Sequence, residues 1–218
     1  MNQDKPNVMV GVVTYDGKKY CEEEFMDRLE NLSYPLYDVT IIRTDGWTGT
    51  PQERIRDGYN KILDAFMTSG YDYLMTLESD IIPPRQIIEL LLDRDKDIVG
   101  ATYFIGFKND RRPCILDGRN VKRKHQGEWR TIFNTINPNE IDGTLKEAPG
   151  GCGLGCVLIK RHVFDKIKSF KCGQAFCDTH FAKEAYQKGL HIWADTGIIV
   201  RHLGFSEDWQ EIIAKEGL

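Results

Sequence analysis

Apolar positions along this chain follow two patterns that take turns. Continuous β-branched runs read as strands buried on both faces, and apolar residues three and four apart read as helices with one covered face. Val8 to Val13 (VMVGVV) is the first such run. Cys21 to Leu32 follows, with Phe25, Leu29 and Leu32 at helical spacing and Glu22, Glu23 and Glu24 early, where carboxylates suit the positive end of a helix. Val39 to Arg43 (VTIIR) predicts a second strand. Pro51 to Met67 predicts a second helix, with Ile55, Tyr59, Ile62, Leu63 and Phe66 as its stripe. Tyr73 to Asp80 (YLMTLESD) reads as a third strand that runs out into a loop before Pro83 and Pro84. A helix from Pro84 to about Arg94 and a strand from Asp97 to Phe104 complete a β-α-β-α-β-α-β order. That order predicts an α/β fold, a doubly wound and mostly parallel sheet with right-handed crossovers.

The pattern breaks between Ile105 and Pro149. This stretch is polar and basic, with Lys108, Arg111, Arg112, Arg119, Lys122, Arg123, Lys124 and Arg130. Two short strand-like pieces, Pro113 to Leu116 and Trp129 to Phe133, predict a hairpin or flap insertion. It reads either as a solvated excursion, as charge runs usually are, or as a flap over a site or a landing surface for an acidic partner. Beyond it, Gly150, Gly151, Gly153 and Gly155 lead into a strand, Cys156 to Lys160. Glycines there let backbone approach something closely. Neither a nucleotide P-loop nor the dinucleotide fingerprint is matched. A short helix (His162 to Phe170), a helix with Asp178 in its first turn (Cys177 to Lys188), a strand (Ile192 to Val200) and a last helix (Ser206 to Lys215) follow. The expected organisation is one domain over 1–218: a first half (1–104), the polar insertion (105–149) and a second half (150–218).

At 218 residues and 41% hydrophobic, the chain can bury a sizeable core. A net charge of −4 argues against a surface that coats nucleic acid generally, while leaving room for a local basic patch. The six cysteines are scattered, which predicts reduced thiols and a cytoplasmic protein; the pairs Cys152/Cys156 and Cys172/Cys177 have looser spacing than the usual zinc knuckle. No apolar run is long enough to span a bilayer and no signal peptide is evident, so a soluble protein is expected, with peripheral membrane attachment left open.

The stretch that carries chemistry is the end of the third strand. Glu78 and Asp80 are two apart, so in extended chain both carboxylates point to one face. Two acids at the carboxyl end of a buried α/β strand suit a divalent cation and a phosphate ligand. The competing reading is a solvated strand end with acids beside a turn.

Five stretches, in order, resemble the metal-dependent glycosyltransferases of the A-type (nucleotide-diphospho-sugar transferase, GT-A) fold, most closely the large family 2 of inverting enzymes. The resemblance runs from Val8 to about Gly204. Thr14-Tyr15-Asp16 after the first strand looks like the nucleotide-binding strand end, and Thr44-Asp45-Gly46 like the Asp loop that contacts base or ribose. Tyr73 to Pro84 resembles the Asp-x-Asp strand, Gly150 to Phe170 the glycine-rich acceptor-side strand and helix, and Cys177-Asp178-x-x-Phe181 the catalytic helix. His202 matches the late metal-binding histidine. The resemblance implies transfer of a sugar from a UDP- or GDP-sugar donor to a saccharide, protein or other hydroxyl acceptor, with Mn2+ or Mg2+ as cofactor. It implies Asp178 as general base, Glu78, Asp80 and His202 as metal ligands, and Gly150 and Gly151 on the acceptor side. Donor contacts would come from Thr14, Tyr15, Asp16, Asp45, Glu78 and Ser79. Arg54 or Arg56 would stand in for an arginine that the family often has at Tyr59. Two further departures are Glu78 where the family has Asp and Cys177 where it has Glu. The rival classes are a nucleotidyltransferase of similar fold, a non-catalytic nucleotide-sugar-binding module, and a glycosyltransferase that modifies nucleic acid docked on the 108–130 stretch.

Overall fold

The computed structural model describes residues 5–14, 23–106, 111–125, 128–173 and 176–203, with 122–125 and 128–133 as backbone only. In chain order the elements are β1 (Val8–Thr14), α1 (Glu23–Glu30), β2 (Tyr37–Arg43), α2 (Pro51–Met67), β3 (Tyr73–Glu78), β4 (Ile81–Ile82), α3 (Ile87–Leu92), β5 (Ile98–Thr102) and β6 (Phe104–Ile105). Then come β7 (Arg112–Pro113), β8 (Leu116–His125), β9 (Glu128–Thr135), β10 (Leu145–Glu147), β11 (Cys156–Lys160), α4 (Val163–Lys166), α5 (Cys177–Gln187), β12 (Ile192–Ile199) and β13 (Arg201–His202). Seven strands form one sheet in the order β10-β12-β5-β11-β3-β1-β2. β2, β1, β3, β5 and β12 point one way; β11 and β10 are antiparallel to their neighbours.

Helices cover both faces, and the strand pattern shows why. Along β1, Met9 and Val13 join one core with Tyr59, Ile62, Leu63 and Phe66 of α2, Phe164 of α4 and Phe181 of α5. Val8, Val10 and Val12 join the other, with Phe25 and Leu29 of α1 and Ile87, Ile88 and Leu91 of α3. Successive side chains of a strand alternate faces, so a continuous apolar run supplies both cores. α2 lies very close on β1. A Cβ at Gly11 would stand 2.5 Å from Ile62 Cγ2, and one at Gly58 2.7 Å from Val13 Cγ1. Thr50 and Glu53 form a capping box that starts this helix beside the sheet's carboxyl end.

Several expected boundaries change. The Tyr73 strand stops at Glu78, because Ser79 and Asp80 make a turn. The chain then does not run out into a loop at once: Ile81 and Ile82 pair antiparallel with Arg201 and His202, and Pro83–Pro84 follow that pairing. The helix expected from Pro84 occupies only Ile87–Leu92, and the one expected from His162 only Val163–Lys166. Pro113 pairs in a ribbon with β6, while β8 and β9 form one long hairpin instead of two short pieces. The helix expected from Ser206 lies outside the described residues. Among the described residues no helix is long and apolar enough to cross a membrane.

Candidate functional site

The direction of β11 assembles the site. Because it runs antiparallel between β3 and β5, its first residue, Cys156, lies opposite Leu77, at the carboxyl end of β3. The glycine run before it therefore arrives beside Glu78, whose amide donates to the Gly155 carbonyl at 2.9 Å. A Cβ at Gly155 would stand 3.1 Å from Glu78 Oε2, and one at Gly153, where φ is +71°, 2.0 Å from the Tyr103 hydroxyl. The close approach that the glycines permit is thus to protein. Gly150 packs on Leu116 and Gly118 of β8, and Gly151 on Ala182 of α5. Gly151 thereby lets the start of α5, with Asp178 in its first turn, pack close against the glycine run.

β12 runs parallel to β5 and delivers His202 to the same end. His202 stands opposite Ile81, and the Leu203 amide donates to the Asp80 carbonyl at 2.7 Å. Its Nδ1 lies 3.0 Å from the Phe104 carbonyl and its Nε2 3.2 Å from Asp80 Oδ2. A carbonyl only accepts, so Nδ1 carries a proton and Nε2 is the nitrogen presented to the carboxylate. The Tyr103 ring meets the imidazole edge-on, with centroids 5.6 Å apart. Burial pulls the His202 pKa down, but the hydrogen bond and charge of Asp80, with the Phe104 carbonyl, outweigh it and leave it above its ordinary value.

Glu78, Ser79 and Asp80 form one wall of a cleft of about 260 Å3, and Val13, Pro51, Ile55 and Tyr59 form the rest. Glu78 keeps some contact with the cleft, yet protein surrounds it closely. Burial lifts its carboxyl to about 8, with the charges of Asp80 and Asp178 adding to the effect and His202 opposing it. Asp178 is also raised, by burial first, against hydrogen bonds that Oδ1 accepts from the Thr179 amide (2.6 Å) and hydroxyl (3.3 Å). Three acids therefore share this end of the sheet with one imidazole. Carboxyls whose ionisation is held back by burial and by one another would be stabilised in their charged form by a cation at this place.

The structure brings together Glu78, Ser79, Asp80, Asp178 and His202. Among the described residues no three acidic, histidine or cysteine side chains are gathered tightly enough to hold an ion by themselves. Asp80 and His202 are in contact, and Glu78 stands apart from that pair. The donor chemistry fits a hard divalent ion to which the protein gives only one or two side chains.

Other expected residues sit elsewhere. Thr14 is fully buried at the end of β1, where its carbonyl accepts from the amide and hydroxyl of Thr44, both at 3.0 Å. Asp45 is exposed in the turn after β2, and Arg54 is half-buried on α2; neither lines the cleft. Arg56 pairs with Asp57 (2.6 Å) and reaches Cys172 Sγ (3.5 Å), so it is held away from the cleft. Tyr15 and Asp16 lie outside the described residues, as do Lys108 and the tip of the basic stretch. Cys177, in the position of a carboxylate in the resembled family, is buried in the core, where burial pushes its thiol well up. Cys114, Cys152, Cys156, Cys172 and Cys177 are free. Pro51 was legible as a helix start and Ile55 and Tyr59 as part of a helix stripe, but none of them as a cleft wall.

No family model and no curated protein matches the chain. Solved structures do. The structure of GalNAc-T7 with UDP, GalNAc and Mn2+ aligns over 94% of this chain at 14% identity and a TM-score of 0.53. The mannosyltransferase PcManGT from Pyrobaculum calidifontis, in complex with GDP-Man and Mn2+, aligns over 98% at 14% identity and a TM-score of 0.56. The chain spans 44% and 61% of the lengths of those two chains. Its fold is that of the metal-dependent GT-A glycosyltransferases.

Proposed function

We propose that this chain is a glycosyltransferase that moves a sugar from a UDP- or GDP-sugar to an acceptor hydroxyl, on a saccharide, a protein or another molecule, with inversion and with the help of Mn2+ or Mg2+. The observation that carries the reading is the convergence of Asp80, His202, Glu78 and Asp178 at one end of a sheet of this fold. Both solved neighbours were captured with a nucleotide and Mn2+, which supports the donor class at a coarse level.

Asp80 and His202 would hold the cation, and Glu78 would reach it directly or through water. When bound, that ion supplies Lewis-acid neutralisation of a diphosphate leaving group. The chain's own residues do the rest. Ile55 and Tyr59 give the cleft an apolar wall against which a flat base or a sugar face can lie. Tyr103 and the Phe104 carbonyl fix the imidazole so that Nε2 faces Asp80. Asp178 takes the proton of the attacking hydroxyl; burial raises its pKa toward the range in which a carboxylate is an effective base.

Calorimetric titration with UDP and GDP, each with Mn2+, Mg2+ or chelator, tests the donor site. Saturable binding of one nucleotide that vanishes with chelator is the expected result. No binding of either nucleotide in any condition removes the reading. Metal-dependent binding without transfer to a panel of saccharide acceptors would instead leave a nucleotide-sugar-binding module.

A further inference from the structure

At the foot of the β8–β9 hairpin lies a second cavity, of about 520 Å3, distinct in its lining from the carboxylate cleft. Arg111, Arg112 and Arg119 line it, against Asp117 and Glu140. Both acids are already engaged. Asp117 accepts from the Arg119 amide (2.9 Å), Nε (2.8 Å) and Nη2 (2.5 Å), and from the Asn134 side chain. Glu140 accepts from the Asn137 amide at 2.7 Å in a capping box around a 3-10 turn, Pro138–Glu140. The walls are thus braced, and the charge of Asp117 is offset by Arg119.

Arg112 is different. Its Nε and Nη1 are shut off from water and have no hydrogen-bond partner. A buried donor without an acceptor is costly, the more so when charged. Natural structures leave such groups rarely, and an absent ion or ligand is a standard reason. The guanidinium fork matches a phosphoryl group in shape and charge, and Arg112 already lines the cavity. The cavity's volume falls in the roughly 300–1,000 Å3 range of small-molecule sites, larger than a bare ion needs.

We infer that this cavity binds the phosphoryl group of a small molecule, with Arg112 as its principal contact. The site does not rest on the donor-site reading. Arg112 lies opposite Ile105 in the β6–β7 ribbon, next to Phe104, whose carbonyl holds His202. A ligand there would sit one ribbon away from the proposed metal-binding histidine.

The test is titration of the full chain, in chelator and at fixed ionic strength, with glycerol phosphate, inorganic phosphate and glycerol. Wild type and Asp80→Asn are expected to bind glycerol phosphate alike, Arg112→Gln at least tenfold more weakly, and glycerol not at all. Tighter binding of the ester than of inorganic phosphate assigns the site to a phosphorylated molecule; equal binding assigns it to the free ion. Arg112→Lys keeps the charge without the fork and is expected to fall between, which preserves the test if Arg112→Gln fails to fold. Unchanged binding in both variants, loss in Asp80→Asn with retention in Arg112→Gln, or no saturable binding by wild type each overturns the inference.

Discussion

The carboxylate cleft and the arginine cavity are opposites in sign. At the carboxyl end of the sheet, Glu78 and Asp80 line the cleft, Asp178 and one imidazole stand behind it, and burial raises Glu78 and Asp178. In the cavity, Asp117 is paired with Arg119, Glu140 is tied into a capping box, and a guanidinium is left with two unused donors. Each place lacks the charge that the other has in excess. The difference teaches that the chain's modest net charge hides two local imbalances of opposite sign, and the two proposals assign them different ligands: a cation with a diphosphate in one, a phosphoryl group in the other.

The largest expected effect breaks the cleft's chemistry while sparing its binding. Asp178→Asn should lower transfer by about 10^2–10^4, the usual worth of general acid–base catalysis. Nucleotide affinity should stay as it is, because Asp178 is not among the residues that line the donor cleft. Normal turnover by this variant would take the base role from Asp178. Next in size, Asp80→Ala should weaken Mn2+-dependent nucleotide binding by at least about 10–100-fold, the cost of losing even an outer-shell partner of a metal ligand. Glycerol phosphate binding in the cavity should be untouched. An equal loss at both places would merge the two sites and dissolve the contrast between them.

The contrast also marks what could be read from residue order. Apolar runs and stripes told of burial on both faces, and the α/β architecture followed. Periodicity carries no direction, however, so nothing in Cys156-Val-Leu-Ile-Lys160 announced that β11 runs antiparallel, which is what sets Gly155 beside Glu78. The i, i+2 argument for Glu78 and Asp80 assumed extended chain, where the structure has a turn at Ser79–Asp80. The β4–β13 pairing that aligns His202 with Asp80 is two residues long and joins positions 122 apart, too short and too distant to leave a local pattern. Resemblance alone pointed to that histidine. Arg112 stood in a basic stretch whose charges all looked alike, because sequence does not show which arginines find partners.

A smaller effect tests the cleft's charge without any ligand. The Glu78 carboxyl is lifted from 4.5 to about 8 in the folded chain. Between those values the folded state holds this proton more tightly than the unfolded state, so stability in chelator should fall as pH rises through that window. The raised pKa values of Asp178 and His202 act in the same direction, Asp178 losing stability as it ionises and His202 as it deprotonates. Thermal unfolding at a series of pH values should show a decline that Glu78→Gln makes shallower and Mn2+ partly reverses. A flat profile in wild type would mean that burial does not hold the Glu78 carboxyl above its ordinary value.

The smallest effect separates the two sites mechanically. Thr50 accepts from the Glu53 amide at 3.3 Å, while Glu53 Oε2 accepts from the Thr50 amide at 2.7 Å. That reciprocal cap starts α2, whose first turns supply Pro51, Ile55 and Tyr59 to the cleft. Thr50→Ala should cost about 1 kcal/mol, the usual value of an N-cap. Fraying then loosens one wall of the cleft and leaves the cavity alone, since its walls come from β7, β8, β9 and the 3-10 turn after them. Nucleotide affinity should therefore drop a few-fold beside unchanged glycerol phosphate affinity, both read by the same titrations. Equal weakening at both places would show that α2 braces the sheet end as a whole, and that the two sites share one support.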